Sequence, residues 1–309
     1  MSTKKTLDSV FEDPDFIAAA IGRRYRGRSK ATMDLLEACK AIIDATAPIT
    51  VRGVCYRLFV AKRIDSMATK NTQKISRLLT WAREEDEIDW DDIVDESRSM
   101  DEWAQYKDLE AFGEHIATLY SRDFWAHQKF ALIVISEKAT VAGILRPVLQ
   151  EYGIPFFAVH GFNSATKVHD LADAIKRDER ITVLLYIGDW DCSGMYMSEE
   201  DLPKRLKEYG ASGFVFTRLA ISRDDTATLP SFPAEDKKKD PRYRWFVSRY
   251  GARCWELDAM NPNDLRARVE TAVKKLFNPE DWKRHKEIEK AQRETTKKIA
   301  KAMADAGAN

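Results

Sequence analysis

Hydrophobic and polar residues change their rhythm near residue 129, and this change divides the chain into two parts. Before that point, apolar residues recur every three or four positions, as they do on the buried face of a helix. After it, short apolar runs alternate with helical stretches; the runs are FALIVI, IPFFAVHG, ITVLLYIG and GFVFTRLAI. Such runs are typical of strands that are buried on both faces, and their alternation with helices predicts a parallel α/β sheet built from βαβ units.

Three helices are predicted within residues 31–100. The first covers residues 31–47 and ends at Pro48, and Thr50 can cap the second, which runs through VRGVCYRLFVAKR. The third covers residues 72–83 and buries the apolar face that its helical spacing creates. The following segment, EIDWDDIVDESR, is predicted to form a short extended wing.

Three helices plus a wing are typical of a winged-helix domain, whose last helix enters the major groove of DNA. Lys74 and Arg77 lie on that third helix, away from its apolar face, and are candidate DNA contacts. A generic three-helix packing unit is the alternative, because helix spacing alone does not distinguish the two.

The first 30 residues are predicted to form a basic arm. Arg23, Arg24 and Arg26 surround Tyr25 with no acidic residue among them. A basic run with an interleaved aromatic ring can clamp phosphate, so these arginines are candidate DNA contacts. A solvated tail of the same composition is the alternative.

The remaining boundaries follow the changes of pattern. Residues 101–127 are predicted to be a helical connector that buries aromatic rings, and residues 128–225 carry the α/β sheet. Residues 223–245 are polar and are predicted to form a loop. Residues 226–309 form a C-terminal extension that ends in a basic helix, for which a solvated surface helix is the favoured interpretation over a DNA clamp.

Composition narrows the class of protein. Fifty basic and 50 acidic residues give a net charge of zero, so only a local basic patch can point to nucleic acid. The four cysteines form no CxxC pair, which argues against a zinc ribbon or a disulfide framework and favours a reducing compartment. No apolar run approaches the length of a membrane span, and the first residues lack the apolar core of a signal peptide. A cytoplasmic protein without a membrane partner is therefore expected.

Three carboxylates follow two of the predicted strands. Glu137 comes after FALIVIS, and Asp189 and Asp191 come after ITVLLYIG in the motif DWDCSG. Ligand sites in open parallel sheets form at the carboxyl ends of the strands, so these side chains are expected to meet in one cleft. Oxygen ligands of this kind suit Mg²⁺, and Gly194 allows the tight turn after the pair. An acidic pair at a strand end can also be a simple turn or cap, but the combination with Glu137 favours a metal site.

This constellation resembles the Toprim domain of topoisomerases, primases and nucleases over residues 129–222. The resemblance implies that Asp189 and Asp191 bind Mg²⁺, or Mn²⁺, and that Glu137 supports the metal or acts as general acid and base. Ser193 stands where many Toprim proteins have a third aspartate. The DxDxxG form is similar to that of the topoisomerase VI A subunit and Spo11 family, although Cys192 and Ser193 replace the usual Pro-Tyr.

The upstream segment ITVRGVCYRLF resembles the winged-helix (CAP-like) part of the same family, in which an arginine precedes the nucleophilic tyrosine by four residues. Here these residues are Arg52 and Tyr56, which share a helix face because they are four positions apart. The resemblance implies that Tyr56 attacks DNA and that Arg52 holds the scissile phosphate. A tyrosine packed in a helical core is the alternative for Tyr56.

The resemblance covers most of the chain and is greatest to the reduced, stand-alone A-subunit form of bacterial and viral mobile elements. It implies a Mg²⁺-dependent enzyme of the type IIB topoisomerase class that breaks double-stranded DNA through a 5′-phosphotyrosyl link. The enzyme would act as a homodimer, in which the tyrosine of one protomer meets the metal site of the other. Strand passage would need a separate GHKL ATPase subunit, since the chain has no P-loop. A hydrolytic Toprim nuclease, in which Tyr56 is structural, and a DNA-binding module with an inactive site are the alternatives.

Overall fold

The computed structural model describes residues 29–94, 105–159 and 165–307, and the first part of it is helical. Three helices lie where the hydrophobic spacing predicts them; they are α1 (Lys30–Thr46), α2 (Val51–Val60) and α3 (Thr69–Glu84). The Thr50 side chain accepts a hydrogen bond from the amide of Gly53 at 2.9 Å, which confirms the predicted cap of α2. The three helices share one apolar core, and the fully buried side chains at its centre are Leu36, Cys39, Val54, Leu58, Ile75 and Leu79.

The described part of the predicted wing contains one short strand. β1 (Ile49–Thr50) pairs in parallel with β2 (Ile93–Val94), and Ile49 and Ile93 close the helical core. The end of the wing sequence and residues 1–28 of the basic arm lie outside the described residues, and so do Arg23, Arg24 and Arg26.

A four-stranded parallel sheet forms the second part, which confirms the predicted α/β class. Its strands are β3 (Phe130–Ser136), β4 (Phe156–Ala158), β5 (Ile181–Ile187) and β6 (Phe214–Ala220), in the order β4-β3-β5-β6. The chain leaves β3 toward β4 on one side but leaves β5 toward β6 on the other. The strand order therefore reverses between β3 and β5, and a crevice is expected at the carboxyl ends of these two strands.

Helices cover both faces of the sheet. On one face lies α5 (Thr140–Tyr152), and on the other lie α6 (Ala165–Arg177) and α8 (Leu202–Glu208). Between β5 and α8 the chain forms α7 (Cys192–Tyr196) and one π-helical turn. Gly153, in the left-handed region, ends α5.

The segment predicted as a polar loop, residues 223–245, is in fact folded onto the sheet. It contains the short strand β7 (Phe232–Pro233), which pairs with β8 (Arg253–Cys254), and it leads into α9 (Tyr243–Tyr250). The prediction was wrong because a few buried anchors, Ala234 and Phe246, hold a mostly polar sequence in place. This fold brings residues 254–259 next to the carboxyl edge of the sheet, where Trp190 and Trp255 exchange backbone hydrogen bonds of 2.9 Å.

The described part of the C-terminal extension ends in two helices. α10 (Pro262–Lys274) packs against α5, and α11 (Pro279–Gly307) packs along the connector helix α4 (Leu109–Leu119). The connector also buries Phe124 and Trp125 among aromatic rings of the extension, whereas Tyr106 of the connector is exposed. Among the described residues, no helix has the length and apolar character required to cross a bilayer.

Candidate catalytic site at the carboxyl edge of the sheet

The two acidic motifs lie at the reversal point of the strand order. Glu137 follows β3, and Asp189 and Asp191 follow β5, which is the neighbour of β3 in the sheet. The order of the strands therefore places the three residues at one edge of the sheet.

Backbone geometry sets the positions of the two aspartates. Asp191 begins α7, where its carboxylate accepts a hydrogen bond from the amide of Gly194 at 2.8 Å. A Cβ atom on residue 194 would lie far inside the closest approach that such atoms make to the carbonyl oxygen of Asp189, so only glycine fits this turn.

Arg218 on β6 holds the same turn through hydrogen bonds. Its guanidinium donates to the carbonyl oxygens of Gly188 at 3.0 Å, of Gly194 at 3.1 Å and of Asp189. It also donates to the hydroxyl of Ser198 at 2.7 Å and to the carbonyl oxygen of Ile221 at 2.8 Å. The motif DWDCSG is thus fixed by a partly buried cation that was not predicted from the sequence.

Two lysines pair with the two aspartates. Lys138 donates to Asp189 at 3.0 Å and to Asp258 at 3.1 Å, and Lys237 donates to Asp191 at 2.6 Å. The amide of residue 257 adds a hydrogen bond of 2.8 Å to Asp189. Burial opposes the charge on Lys138, but the two carboxylates outweigh it and raise its pKa.

Negative charge remains in excess despite these lysines. Four carboxylates, including that of Glu137, face two ammonium groups in this cluster. Burial raises the pKa of Glu137, and the nearby charges of Asp191 and Asp189 raise it further. Such a carboxyl holds its proton more firmly than an exposed one, as a general acid must.

The fit of a divalent cation is mixed. The oxygen donors and the excess negative charge suit Mg²⁺. Over residues 29–94, 105–159 and 165–307, however, no three His, Cys, Asp or Glu side chains converge as a metal-binding group. Lys138 and Lys237 bind carboxylate oxygens that a cation would need, so coordination by both aspartates requires these ammonium groups to move.

Tyr56 on α2 is buried beside a carboxylate. Its hydroxyl donates a hydrogen bond to Glu256 Oε2 at 3.1 Å, and only 5 % of the residue is exposed. Burial raises the pKa of Tyr56, and the charge of Glu256 raises it further, whereas Arg52 lowers it.

Arg52 binds Glu256 with two parallel hydrogen bonds. Arg52 Nη2 lies 2.6 Å from Oε1 of Glu256, and Nε contacts Oε2. The Arg52 side chain is 48 % exposed, so its outer N–H groups face solvent. The arginine predicted to hold a phosphate thus also holds a carboxylate next to the tyrosine.

The segment Glu256–Asp258 joins the tyrosine to the aspartates. Glu256 contacts Tyr56 and Arg52, the amide of residue 257 binds Asp189, and Asp258 accepts hydrogen bonds from Lys138 and from Thr50, the latter at 2.6 Å. Tyr56 and the carboxylates therefore belong to one cluster within a single chain. The family resemblance implies that the tyrosine of one protomer meets the metal site of another. The contacts described here lie within one chain, and the arrangement between protomers stays a prediction.

Several residues of this cluster were missed at the level of sequence. Lys138 directly follows Glu137, and this position beside a candidate metal ligand could have marked it as a member of the site. Glu256 and Asp258 repeat the acid-x-acid spacing of Asp189 and Asp191. For Lys237 there was no signal, because it lies in the segment predicted to be a loop.

The candidate DNA contacts on α3 lie on its exposed face. Lys74 and Arg77 are exposed, and with Lys70 they follow the spacing i, i+4 and i+7 along one side of the helix. They line a surface groove of about 680 Å³ together with polar residues of the same helix and Thr32 of α1. The groove therefore presents positive charge to solvent.

Comparisons of the chain with protein-family models, with curated proteins and with solved structures gave no match. The relationship to the topoisomerase VI A subunit and to Toprim domains stays a prediction.

Proposed function

We propose that the chain is a Mg²⁺-dependent DNA-cleaving transesterase of the type IIB topoisomerase A-subunit class, with Tyr56 as its nucleophile. The observation that carries this proposal is the segment Glu256–Asp258, which connects the Tyr56 hydroxyl to the Asp189 carboxylate within one chain. A phenol, an arginine with open donors and a cluster of acids thus lie together, and strand cleavage by tyrosine needs these groups.

Under this proposal the helical part is a winged-helix domain and the sheet is a Toprim domain. The exposed basic face of α3 supports contact with double-stranded DNA, where Lys74 and Arg77 would bind phosphate. Two chains would form a homodimer, because a duplex break needs two cuts. Passage of a second duplex would require a separate ATPase subunit.

The cleavage step assigns one role to each residue. The Tyr56 oxygen attacks phosphorus, the bond from phosphorus to the 3′ oxygen breaks, and the 5′ phosphate stays on the tyrosine. The outer N–H groups of Arg52 bind the phosphate. Glu137 gives its proton to the departing 3′ oxygen, for which its raised pKa suits it. Asp189 and Asp191, with support from Glu137, would hold Mg²⁺, which would supply charge stabilisation at the phosphate.

A hydrolytic nuclease is the second candidate, and the burial of Tyr56 favours it. A side chain that is 5 % exposed must become accessible before it can attack DNA. In a nuclease the same acids would serve an attacking water, and Tyr56 would only pack α2 against residues 256–258.

The test is to incubate supercoiled and linear duplex DNA with the protein and Mg²⁺ or Mn²⁺, and to quench the reaction with denaturant. We expect protein attached covalently to 5′ ends, and we expect Tyr56→Phe to abolish these adducts. Tyr152→Phe is the matched control, because Tyr152 is also buried and donates to a carboxylate, that of Glu270, at 2.9 Å.

Cuts without adducts that persist in Tyr56→Phe and disappear in Asp189→Ala would overturn the transesterase and leave the nuclease. DNA binding without any cut, together with no detectable binding of Mg²⁺ in a calorimetric titration, would leave a DNA-binding module with an inactive site.

A further inference from the structure

Beside the nucleophile lies a carboxylate with both of its oxygens engaged. The Tyr56 hydroxyl donates to Oε2 of Glu256, and Arg52 binds Oε2 and Oε1 of the same carboxylate. A nucleophile, a proton acceptor in hydrogen-bond contact and a third group that orients the acceptor are the arrangement by which enzymes activate hydroxyl nucleophiles.

We propose that Glu256 is the general base that takes the proton of Tyr56 during strand cleavage, and that Arg52 positions it. This inference rests on the proposed transesterase function and adds a catalytic residue that lies far from the tyrosine in sequence. Glu256 reaches the site because β8 and the turn after it fold back onto the edge of the sheet.

Geometry favours Glu256 over the other acids of the cluster. Its Oε2 lies 3.1 Å from the Tyr56 oxygen, within direct reach for proton transfer. Asp189 and Asp258 are bound by Lys138, and Asp191 is bound by Lys237. The carboxylate of Glu256 is 14 % exposed, so little water competes for the phenolic proton.

Chemistry explains why a base is needed. Burial and Glu256 itself raise the pKa of Tyr56, so the phenolate is scarce at neutral pH. The proton must therefore leave while the bond to phosphorus forms, because the phenol becomes strongly acidic only as that bond develops. The positive charge of Arg52 also favours negative charge on the tyrosine oxygen, since it acts to lower the same pKa.

Atoms and charges balance in this step. The bond from the Tyr56 oxygen to phosphorus forms, the phenolic proton moves to Glu256 Oε2, and the bond from phosphorus to the 3′ oxygen breaks. The 3′ oxygen takes its proton from Glu137. In religation the 3′ hydroxyl attacks phosphorus and returns its proton to Glu137, and Glu256 returns its proton to the departing phenol oxygen. No oxidant, reductant or further reactant is consumed.

The first experiment measures adduct formation in a single turnover with Glu256→Gln. The amide keeps the shape of the side chain but cannot accept the proton, so we expect the rate to fall by roughly 10²- to 10⁴-fold. Glu270→Gln is the matched control, because Glu270 accepts from the buried Tyr152 in similar geometry, and its rate should be unchanged. Glu256→Asp keeps a carboxylate and should recover part of the rate.

The second measurement distinguishes a residue that accepts the proton of Tyr56 from one that only positions Tyr56. The rate of the unaltered protein should show a limb at acidic pH, where the base becomes protonated, and Glu256→Gln should lose that limb. The groups that face Glu256 are Tyr56 and Arg52 on α2 and Lys237 from the turn before α9; the two cations keep their charge over this range. Because Glu137, Asp189 and Asp191 are also carboxylates of this cluster, only the difference between the two profiles is assigned to Glu256.

A third readout uses neither DNA nor metal. A fluorinated tyrosine placed at position 56 can be titrated by fluorine NMR, and Glu256→Gln should lower its pKa, because the charge that raises it is gone. An unchanged titration would show that the hydrogen bond is absent in solution and would overturn the inference.

Different results would contradict the role of Glu256 and the proposed function. If Tyr56→Phe abolishes adducts but Glu256→Gln cleaves within threefold of the unaltered protein, Glu256 is not the base and the transesterase stands. If adducts persist in Tyr56→Phe, the proposed function fails and the inference falls with it. Should Glu256→Gln unfold, as judged by circular dichroism, the pH profile of Glu256→Asp decides: a limb displaced from that of the unaltered protein supports the base, and an unmoved limb contradicts it.

Discussion

Arg218 carries the clearest stability prediction, because one partly buried guanidinium holds the turn that bears the two aspartates. It makes five hydrogen bonds, four to carbonyl oxygens and one to a hydroxyl. Burial lowers the pKa of Arg218, because removing its charge from water costs free energy. Part of the free energy gained from its hydrogen bonds offsets this cost. Arg218→Met keeps the apolar stem and removes every donor.

The expected loss follows from these contacts. Hydrogen bonds to a charged group contribute about 1.5–3 kcal/mol each, but they share one desolvation cost of several kcal/mol. We therefore expect Arg218→Met to lower the free energy of unfolding by about 3–4 kcal/mol, because four carbonyl oxygens and one hydroxyl lose a charged donor. Urea unfolding followed by circular dichroism measures this as a lower midpoint at an unchanged slope.

Arg177→Met is the control for this prediction. Arg177 is an exposed arginine on α6 with one hydrogen bond, to the carbonyl oxygen of Asp173, and its loss should cost less than about 0.5 kcal/mol. Hydrogen exchange adds a local readout, since amides of residues 188–198 should exchange faster in Arg218→Met before the rest of the sheet does. A loss as small as that of Arg177→Met, with no change of exchange in this turn, would refute the role assigned to Arg218.

Two further predictions concern charge. Because the folded-state pKa of Glu137 is raised above its usual value of 4.5, its ionisation opposes folding at neutral pH and not at pH values below 4.5. Glu137→Gln should therefore raise the free energy of unfolding at pH 7, lose that gain near pH 4 and abolish cleavage; a stability difference that is independent of pH would contradict this. Replacing Lys74 and Arg77 by alanine should weaken duplex binding at low salt and reduce the slope of log affinity against log salt by about 1.8, whereas Lys204→Ala on α8 should leave the slope unchanged.

Much of the architecture follows from local signals in the sequence. The alternation of apolar runs and helices predicts the parallel sheet, and Thr50 caps α2 because its side chain and the amide of Gly53 are three residues apart. The carboxylates of Glu137 and Asp189 share an edge because each follows a parallel strand, and the strands are neighbours. In each case the residues involved are close in sequence or belong to a regular pattern.

The rest of the site depends on contacts between distant segments. Lys237 and Glu256 lie in short, mostly polar elements whose positions are set by a few buried residues such as Phe246, and no periodic pattern marks them. Arg218 occupies a strand that the sequence predicts, but its role depends on the turn after β5, which approaches it only in the folded sheet. Sequence periodicity indicates which elements form, whereas the pairing of charges between elements requires the three-dimensional arrangement.

The contacts of residues 256–258 explain how the two parts of the chain act as one site. Three consecutive residues bind the tyrosine, the aspartate after β5 and the lysine beside Glu137. A displacement of this segment would change the surroundings of the phenol and of the carboxylates at once, because the residue that binds the phenol and the residues that bind Asp189 and Lys138 are consecutive. Thr50, which caps the tyrosine helix, binds Asp258 as well, so the start of α2 is fixed to the edge of the sheet. The position of the nucleophile therefore depends on the same segment that holds the acids, and a substitution there should affect both together.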